Sequence, residues 1–185
     1  FIFAPYFASF VAPDPVTGQA FWGYASAIAG IIIAVLAPVL GAIADASGPR
    51  KPWIAVFSIL AIAGGGALYM ATPSSLDPNT PIFLVLGAFI IALIGIEFST
   101  VFTNAMMPTL VPREQMGKLS GTGWALGYVG GVISLVFVLA LMSANAETGK
   151  TLVGLDPIFG LDASAYEGDR ASGPFSALWY LIFII

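Results

Sequence analysis

Long apolar runs broken by short polar stretches dominate the chain. Residues 21–43, 53–72 and 121–142 carry no charged side chain, and residues 82–107 carry only Glu97. A helix rises about 1.5 Å per residue, so roughly 20 such residues cross a hydrocarbon core of about 30 Å. Two further apolar stretches, 1–12 and 174–185, read as truncated spans at the two ends of the sequence. The pattern therefore predicts an all-α membrane protein with six helices, over 1–12, 21–43, 53–72, 82–107, 121–142 and 174–185. Pro13-Asp14-Pro15 ends the first, because proline cannot continue a helix and restricts the residue before it. Residues 73–81 read as a turn-rich loop, 108–118 as a polar loop and 143–173 as a long polar loop.

Features within the runs refine this outline. Gly23, Ala27, Gly30, Ala34, Ala37 and Gly41 recur at alternating four- and three-residue steps. They predict a small-residue stripe along the second helix, the device by which helix backbones approach closely in lipid. Pro38 is a natural site for a kink near the end of that helix. Trp53 and Tyr69 stand near the two ends of the third, as interfacial anchors do.

Composition agrees with the pattern. The chain is 58% hydrophobic and 9% charged, whereas soluble domains carry about 25% charged residues. It has no cysteine and no histidine, which excludes disulfides, thiol nucleophiles and the usual zinc sites. No cofactor and no metal are expected, and proton chemistry falls to carboxylates, tyrosine or lysine. The net charge of −4 gives no basis for a nucleic-acid partner. The sequence opens without methionine and stops inside an apolar run, so it is expected to be a fragment.

Basic residues predict the orientation. Arg50 and Lys51 follow the second helix, and Arg113 and Lys118 follow the fourth; the short loops after the first and third have none. Basic residues favour the cytoplasmic side, so the loops around 50 and 115 are expected there. In the long loop, Lys150 and Arg170 are outnumbered by Glu147, Asp156, Asp162, Glu167 and Asp169.

Three groups of residues could carry function. Glu97 is the one charge inside a complete predicted span, with Thr100 and Asn104 on the same helical stripe. A carboxylate at that depth costs about 2.5–3.5 kcal/mol on insertion scales, so it is expected to face a bundle interior or a wet cavity. There it could exchange a proton or contact substrate; a structural hydrogen bond to a neighbouring helix is the plainer alternative. Trp124 and Tyr128, one turn apart beside Gly123, Gly127 and Gly131, could line a cavity or simply pack. The third group is the loop around Asp45, Arg50 and Lys51, where both helix dipoles disfavour the charges present. Ala144 to Thr151 falls one residue short of a phosphate-binding loop; its first glycine is alanine and no strand precedes it.

Gly41, Asp45, Gly48, Arg50 and Lys51 resemble the signature loop between the second and third helices of major facilitator superfamily transporters. The chain departs from that pattern at Ala46 and Pro49, where many members are basic; in the fifth helix Gly127 is followed by Tyr128, where the motif of superfamily antiporters has a Gly-Pro pair. The resemblance implies a twelve-helix bundle of which this chain is the N-terminal half, built from two inverted three-helix repeats. It also implies that the loop acts as a conformational latch. Ala4-Pro5-Tyr6-Phe7, Gly41 to Asp45, and Asn104 to Pro112 with Gly117 to Tyr128 resemble the vacuole effluxer family, autophagy-related amino-acid exporters of fungi and their bacterial relatives. That likeness implies a secondary active transporter, not an enzyme, with amino acids as a substrate class. The protein would then be expected in the plasma (inner) membrane if bacterial and in the vacuolar membrane if fungal. Its partners would be a small-molecule substrate, membrane lipid and the C-terminal half of the same chain. A membrane-embedded enzyme would need clustered nucleophiles, bases or ligands. A non-transporting scaffold remains the other alternative.

Overall fold

The structure, a computed structural model, describes residues 1–184; Ile185, the last position of the predicted 174–185 span, lies outside the described residues. Among the described residues the chain is helical, apart from turns and one isolated antiparallel bridge between Ala144 and Thr151. α1 (Phe3–Tyr6) runs into a π-helical turn, Phe7–Val11. The Pro13-Asp14-Pro15 break then does two jobs. It stops that segment, and it starts α2 (Pro15–Ser47): Asp14 Oδ1 accepts from the backbone N–H of Val16 and Thr17, both at 3.0 Å, with proline in the first turn. α2 therefore begins earlier than the charge-free run at 21, its first turns carrying the polar Thr17 and Gln19. It continues through Pro38 without a break.

α3 (Lys51–Ala67) ends in a 3₁₀ turn, Leu68–Met70, and α4 (Ile82–Ala105) is followed by the single turn α5 (Met107–Leu110). The expected polar loop at 108–118 is largely helix instead. α6 (Arg113–Phe137) starts directly after Pro112, with Glu114 in the first turn where the dipole favours an acid, and closes with a π-helical turn, Val138–Met142. Its polar first turns had the composition of a loop. The long loop is also shorter than expected: α7 (Glu167–Ile184) begins with Glu167 and Asp169 in its first turn, and Pro174 lies inside it.

Among the described residues, four helices are long and apolar enough to cross a membrane: Pro15–Ser47, Lys51–Met70, Ile82–Leu110 and Arg113–Met142. The predicted first and last spans are not among them. Residues 1–12 form α1 and its π turn, and 174–184 form the C-terminal part of α7.

The tightest packing joins α3 to α4. A side chain on Gly64 would lie 2.5 Å from the Ala88 carbonyl oxygen, and one on Gly95 would meet Ala61 N and lie 2.6 Å from the Phe57 carbonyl oxygen. Each helix thus presents a glycine to the other's backbone. Two apolar clusters flank this crossing. One gathers Phe3, Tyr6, Phe7 and Val11 against Leu68, Val85 and Leu86; the other gathers Ala44, Phe57, Phe98 and Phe102. Most of the small-residue stripe expected to pack α2 does not do so here; only Ala37 joins the cluster around Phe57. Nothing approaches a side-chain position at Gly23, Gly30 or Gly41, and α2 buries Gly18, Ala25, Ala29 and Ala44 instead. No residue of Arg113–Phe137 is buried; α6 is held near its end by Phe137 stacked on Phe175, ring centroids 5.2 Å apart.

Candidate functional site

The α2–α3 loop is built from its backbone outward. Gly48 closes α2 at φ 83°, a left-handed conformation that glycine adopts without a Cβ penalty, and its N–H donates to the Ala44 carbonyl at 3.1 Å. The reversal brings Arg50 Nη2 to 2.6 Å from Asp45 Oδ1. Asp45 lies inside the last turn of α2, not past its end, and Arg50 caps α3. Each charge opposes its own helix dipole, and pairing offsets both. Trp53 Nε1 donates to Ser47 Oγ at 3.2 Å while its ring stacks on Phe102 at 5.7 Å, which ties the loop to the apolar cluster around Phe57 and Phe98. An exposed ion pair contributes about 0–1 kcal/mol; Asp45 remains 69% exposed, so this pair can open at little cost. Lys51 is exposed beside it, and Gly41 is half-buried on α2.

Glu97 is exposed, as is Asn104, with Thr100 half-buried between them. The three lie on the face of α4 away from Gly95, Phe98, Ser99 and Phe102, which carry its packing. Of the two settings expected for Glu97, a bundle interior or a wet cavity, it does not occupy the packed interior of the described helices. Its neighbour Thr100 donates to the Ile96 carbonyl at 2.9 Å, leaving the hydroxyl turned back on its own helix. Trp124 and Tyr128 pack against each other, centroids 6.1 Å apart, and are both well exposed on α6. None of these five residues lines the bundle's cavities of about 560 and 700 Å³. The structure leaves them on open faces of two helices and does not gather them into one pocket.

Polar features that the sequence pattern did not single out lie elsewhere. Ser58 of α3, Ser99 of α4 and Tyr180 of α7 form a buried hydroxyl cluster: Ser99 Oγ to Tyr180 Oη at 2.6 Å and Ser58 Oγ to Tyr180 Oη at 2.9 Å. It joins three helices beside the apolar cavity of about 560 Å³, which Tyr180, Trp22, Phe89 and Gly131 help to line. Serines inside apolar runs are the sequence signal, but their partner, Tyr180, is remote in the chain.

At the end of the bundle away from the Asp45 loop, Tyr6 donates to the Ala71 carbonyl at 2.5 Å. Arg170 Nε and Nη2 donate to the Tyr69 carbonyl at 3.1 and 2.9 Å, and its guanidinium lies 4.5 Å from that ring's centroid. Ser143 donates to Asp169 at 2.9 Å. Burial pushes the Asp169 carboxyl above its ordinary value, partly countered by that hydrogen bond. Among the described residues no cluster of side chains is suited to holding a metal ion.

Residues 9–117 match the family described as Vacuole effluxer Atg22 like, a stretch that includes the Asp45–Arg50 loop and all of α4. The chain belongs to that family. An MFS-type transporter of Bacillus subtilis, YxiO, otherwise uncharacterised, is 30% identical over 188 residues, covering 100% of this chain and 40% of that protein. Macrolide efflux protein A of Streptococcus pyogenes is 30% identical over 119 residues, 64% of this chain and 28% of that protein. An uncharacterised protein of Aquifex aeolicus is 35% identical over 103 residues, 56% of this chain and 25% of that protein. The chain thus spans less than half the length of these relatives. No solved structure matches it. Family membership and four membrane-length helices make it an integral membrane protein of a transporter family.

Proposed function

We propose that the protein is a secondary active transporter that moves a small solute by alternating access, and that the described helices form one six-helix half of a twelve-helix bundle. The observation that carries this reading is the open face of α4. Glu97, Thr100 and Asn104 lie on a helix long and apolar enough to cross a membrane, yet away from its packed side. A carboxylate facing lipid at that depth is costly, so this face calls for a wet cavity or a second bundle. The largely bare small-residue stripe of α2 and the uncovered Trp124 and Tyr128 of α6 fit the same partner.

In this reading Glu97 couples substrate movement to a proton, and Thr100, Asn104, Trp124 and Tyr128 border the translocation path. The Gly41, Asp45, Gly48, Arg50, Lys51 loop is the latch, its weak exposed pair forming in one state and opening in the other. Amino acids are the substrate class that the sequence resemblance implies; the named macrolide efflux relative supplies a competing one. The test is counterflow into proteoliposomes carrying the full-length protein, with labelled amino acids and a labelled macrolide in parallel. Saturable exchange of an amino acid supports the reading; exchange of the macrolide alone redirects the substrate class, and exchange of neither refutes transport of both.

A further inference from the structure

The loop after α6 carries an apolar turn. The Gly154 N–H donates to the Thr151 carbonyl at 2.9 Å, which puts Leu152 and Val153 at the central positions, and the Thr151 N–H donates to the Leu155 carbonyl at 2.9 Å. Central turn positions favour Gly, Pro, Asn, Asp and Ser. Here they hold two aliphatic side chains, Leu152 78% and Val153 58% exposed. The turn is nonetheless well anchored. Lys150 Nζ lies 2.7 Å from Asp156 Oδ1, an ion pair across its base, and Thr151 is buried in the bridge with Ala144. An ordered turn with a bare apolar tip marks an interaction surface.

Backbone contact sets its depth. The last carbonyls of a helix lack partners within it, and that of Leu139 accepts from the Leu152 N–H at 3.3 Å. Residues 121–142 are free of charge, about 33 Å of helix at about 1.5 Å per residue. The polar start of α7 lies level with Met142, since a side chain on Gly168, between Glu167 and Asp169, would collide with the Met142 carbonyl. Leu139 is nearly one turn inside that border. The turn is therefore anchored at the apolar depth of the span, where bare Leu and Val side chains face lipid or protein.

Its position around α6 separates those two. Trp124, Tyr128, Leu135 and Leu139 follow one another at four, seven and four residues, which is one face of a 3.6-residue helix. Leu152 stands over that face, beside Leu135, Leu139 and Asp169, at the cavity of about 700 Å³ at the end of the bundle away from the Asp45 loop. In the transport reading above, this face borders the translocation path and meets a second bundle. The relative YxiO, of which this chain covers 40%, has the length for one.

We infer that the Leu152–Val153 turn docks against the C-terminal half of the same chain, where it closes the translocation path at the end away from the Asp45 loop. The identity of the partner rests on the transport reading; the docking is read separately.

Spin labels at single cysteines test this in the full-length protein, in nanodiscs holding one copy each so that no second copy covers the turn. Any cysteine outside these residues is replaced by serine. Leu152→Cys and Val153→Cys should give an immobile spectral component that has lost collision with both oxygen, which collects in lipid, and a nickel complex, which stays in water. Glu147→Cys, at an exposed position in the same loop, should collide freely with the nickel complex. Free collision of the Leu152 and Val153 labels with oxygen or with nickel, and no immobile component, overturns the inference. Counterflow on the same preparation separates it from the transport reading. Exchange with an uncovered turn refutes the docking alone, while a covered turn without exchange keeps the docking and removes transport.

Discussion

Glu97 and Asp169 are carboxylates in opposite circumstances, and each predicts a different measurement. Glu97 is exposed on a membrane-length helix with no partner among the described residues. Glu97→Gln keeps its shape and removes its proton. The expected outcome is a protein that still inserts and still exchanges substrate but loses accumulation driven by a pH gradient; gradient-driven accumulation persisting in the variant would end the coupling role. Asp169 is half-buried against Ser143, and burial raises its proton affinity in the folded state. The folded protein then holds more protons than the unfolded chain between the ordinary carboxylate value and the raised one. Its stability therefore falls as pH rises through that window. Asp169→Asn should raise the melting temperature at pH 7, with the difference shrinking toward pH 4. Melting curves across that range check it, and a variant less stable at pH 7 contradicts it. Asp45→Asn should leave the fold intact, because the lost exposed pair is worth about 0–1 kcal/mol, while transport and the inward–outward balance change. Normal transport by that variant sinks the latch.

Among the elements, the α3–α4 crossing is the one fixed by backbone contact. Gly64 and Gly95 each admit the other helix where a methyl group would collide with main-chain atoms, which cannot swing aside as a side chain can. Gly95→Ala should cost about 1–3 kcal/mol, the usual penalty of overpacking a filled interface. Gly123→Ala and Gly127→Ala on α6 meet nothing within 4 Å and should be tolerated by the packing described. Thermal unfolding in one detergent compares the three, and a Gly95 variant as stable as the α6 variants would place the crossing elsewhere. Glycine within an apolar helix is thus a shared sequence sign with two different uses, a crossing at Gly64 and Gly95 and open space at Gly123 and Gly127. It marks a site where a helix can approach, and only the neighbour's position decides whether one does.

For the whole molecule, topology is the property most open to direct test. The chain has no cysteine, so single cysteines report without background. Basic-residue placement predicts that Ser47→Cys and Gln115→Cys are protected from a membrane-impermeant thiol reagent in intact cells, whereas Asp77→Cys and Ala163→Cys label. The structure supports the pairing of sites, since α2 and α4 end, and α3 and α6 begin, on one side of the bundle. Labelling of the opposite pair would invert the orientation, and with it the side to which the Asp169 cavity opens.

What the sequence determined by itself is what depends on local composition. Apolar runs and proline breaks located four of the six expected spans and the reversal at Gly48, because helix formation in lipid follows from hydrophobicity and length alone. Ends of helices were less legible. The polar opening turns of α2, α6 and α7 have the composition of loops; the Asp14 cap starts α2, and the backbone conformation shows the other two to be helix. Which side of each helix is covered was decided by tertiary structure. Glu97 turned outward, most of the α2 stripe stayed bare, and Ser58, Ser99 and Tyr180 met across three helices. The cavity at the end away from the Asp45 loop joins Tyr6 and Phe10 to Thr151, Tyr166 and Asp169 over most of the chain's length. No periodicity within one helix encodes its azimuth relative to another, since in lipid every face is apolar enough and backbone fit chooses among them.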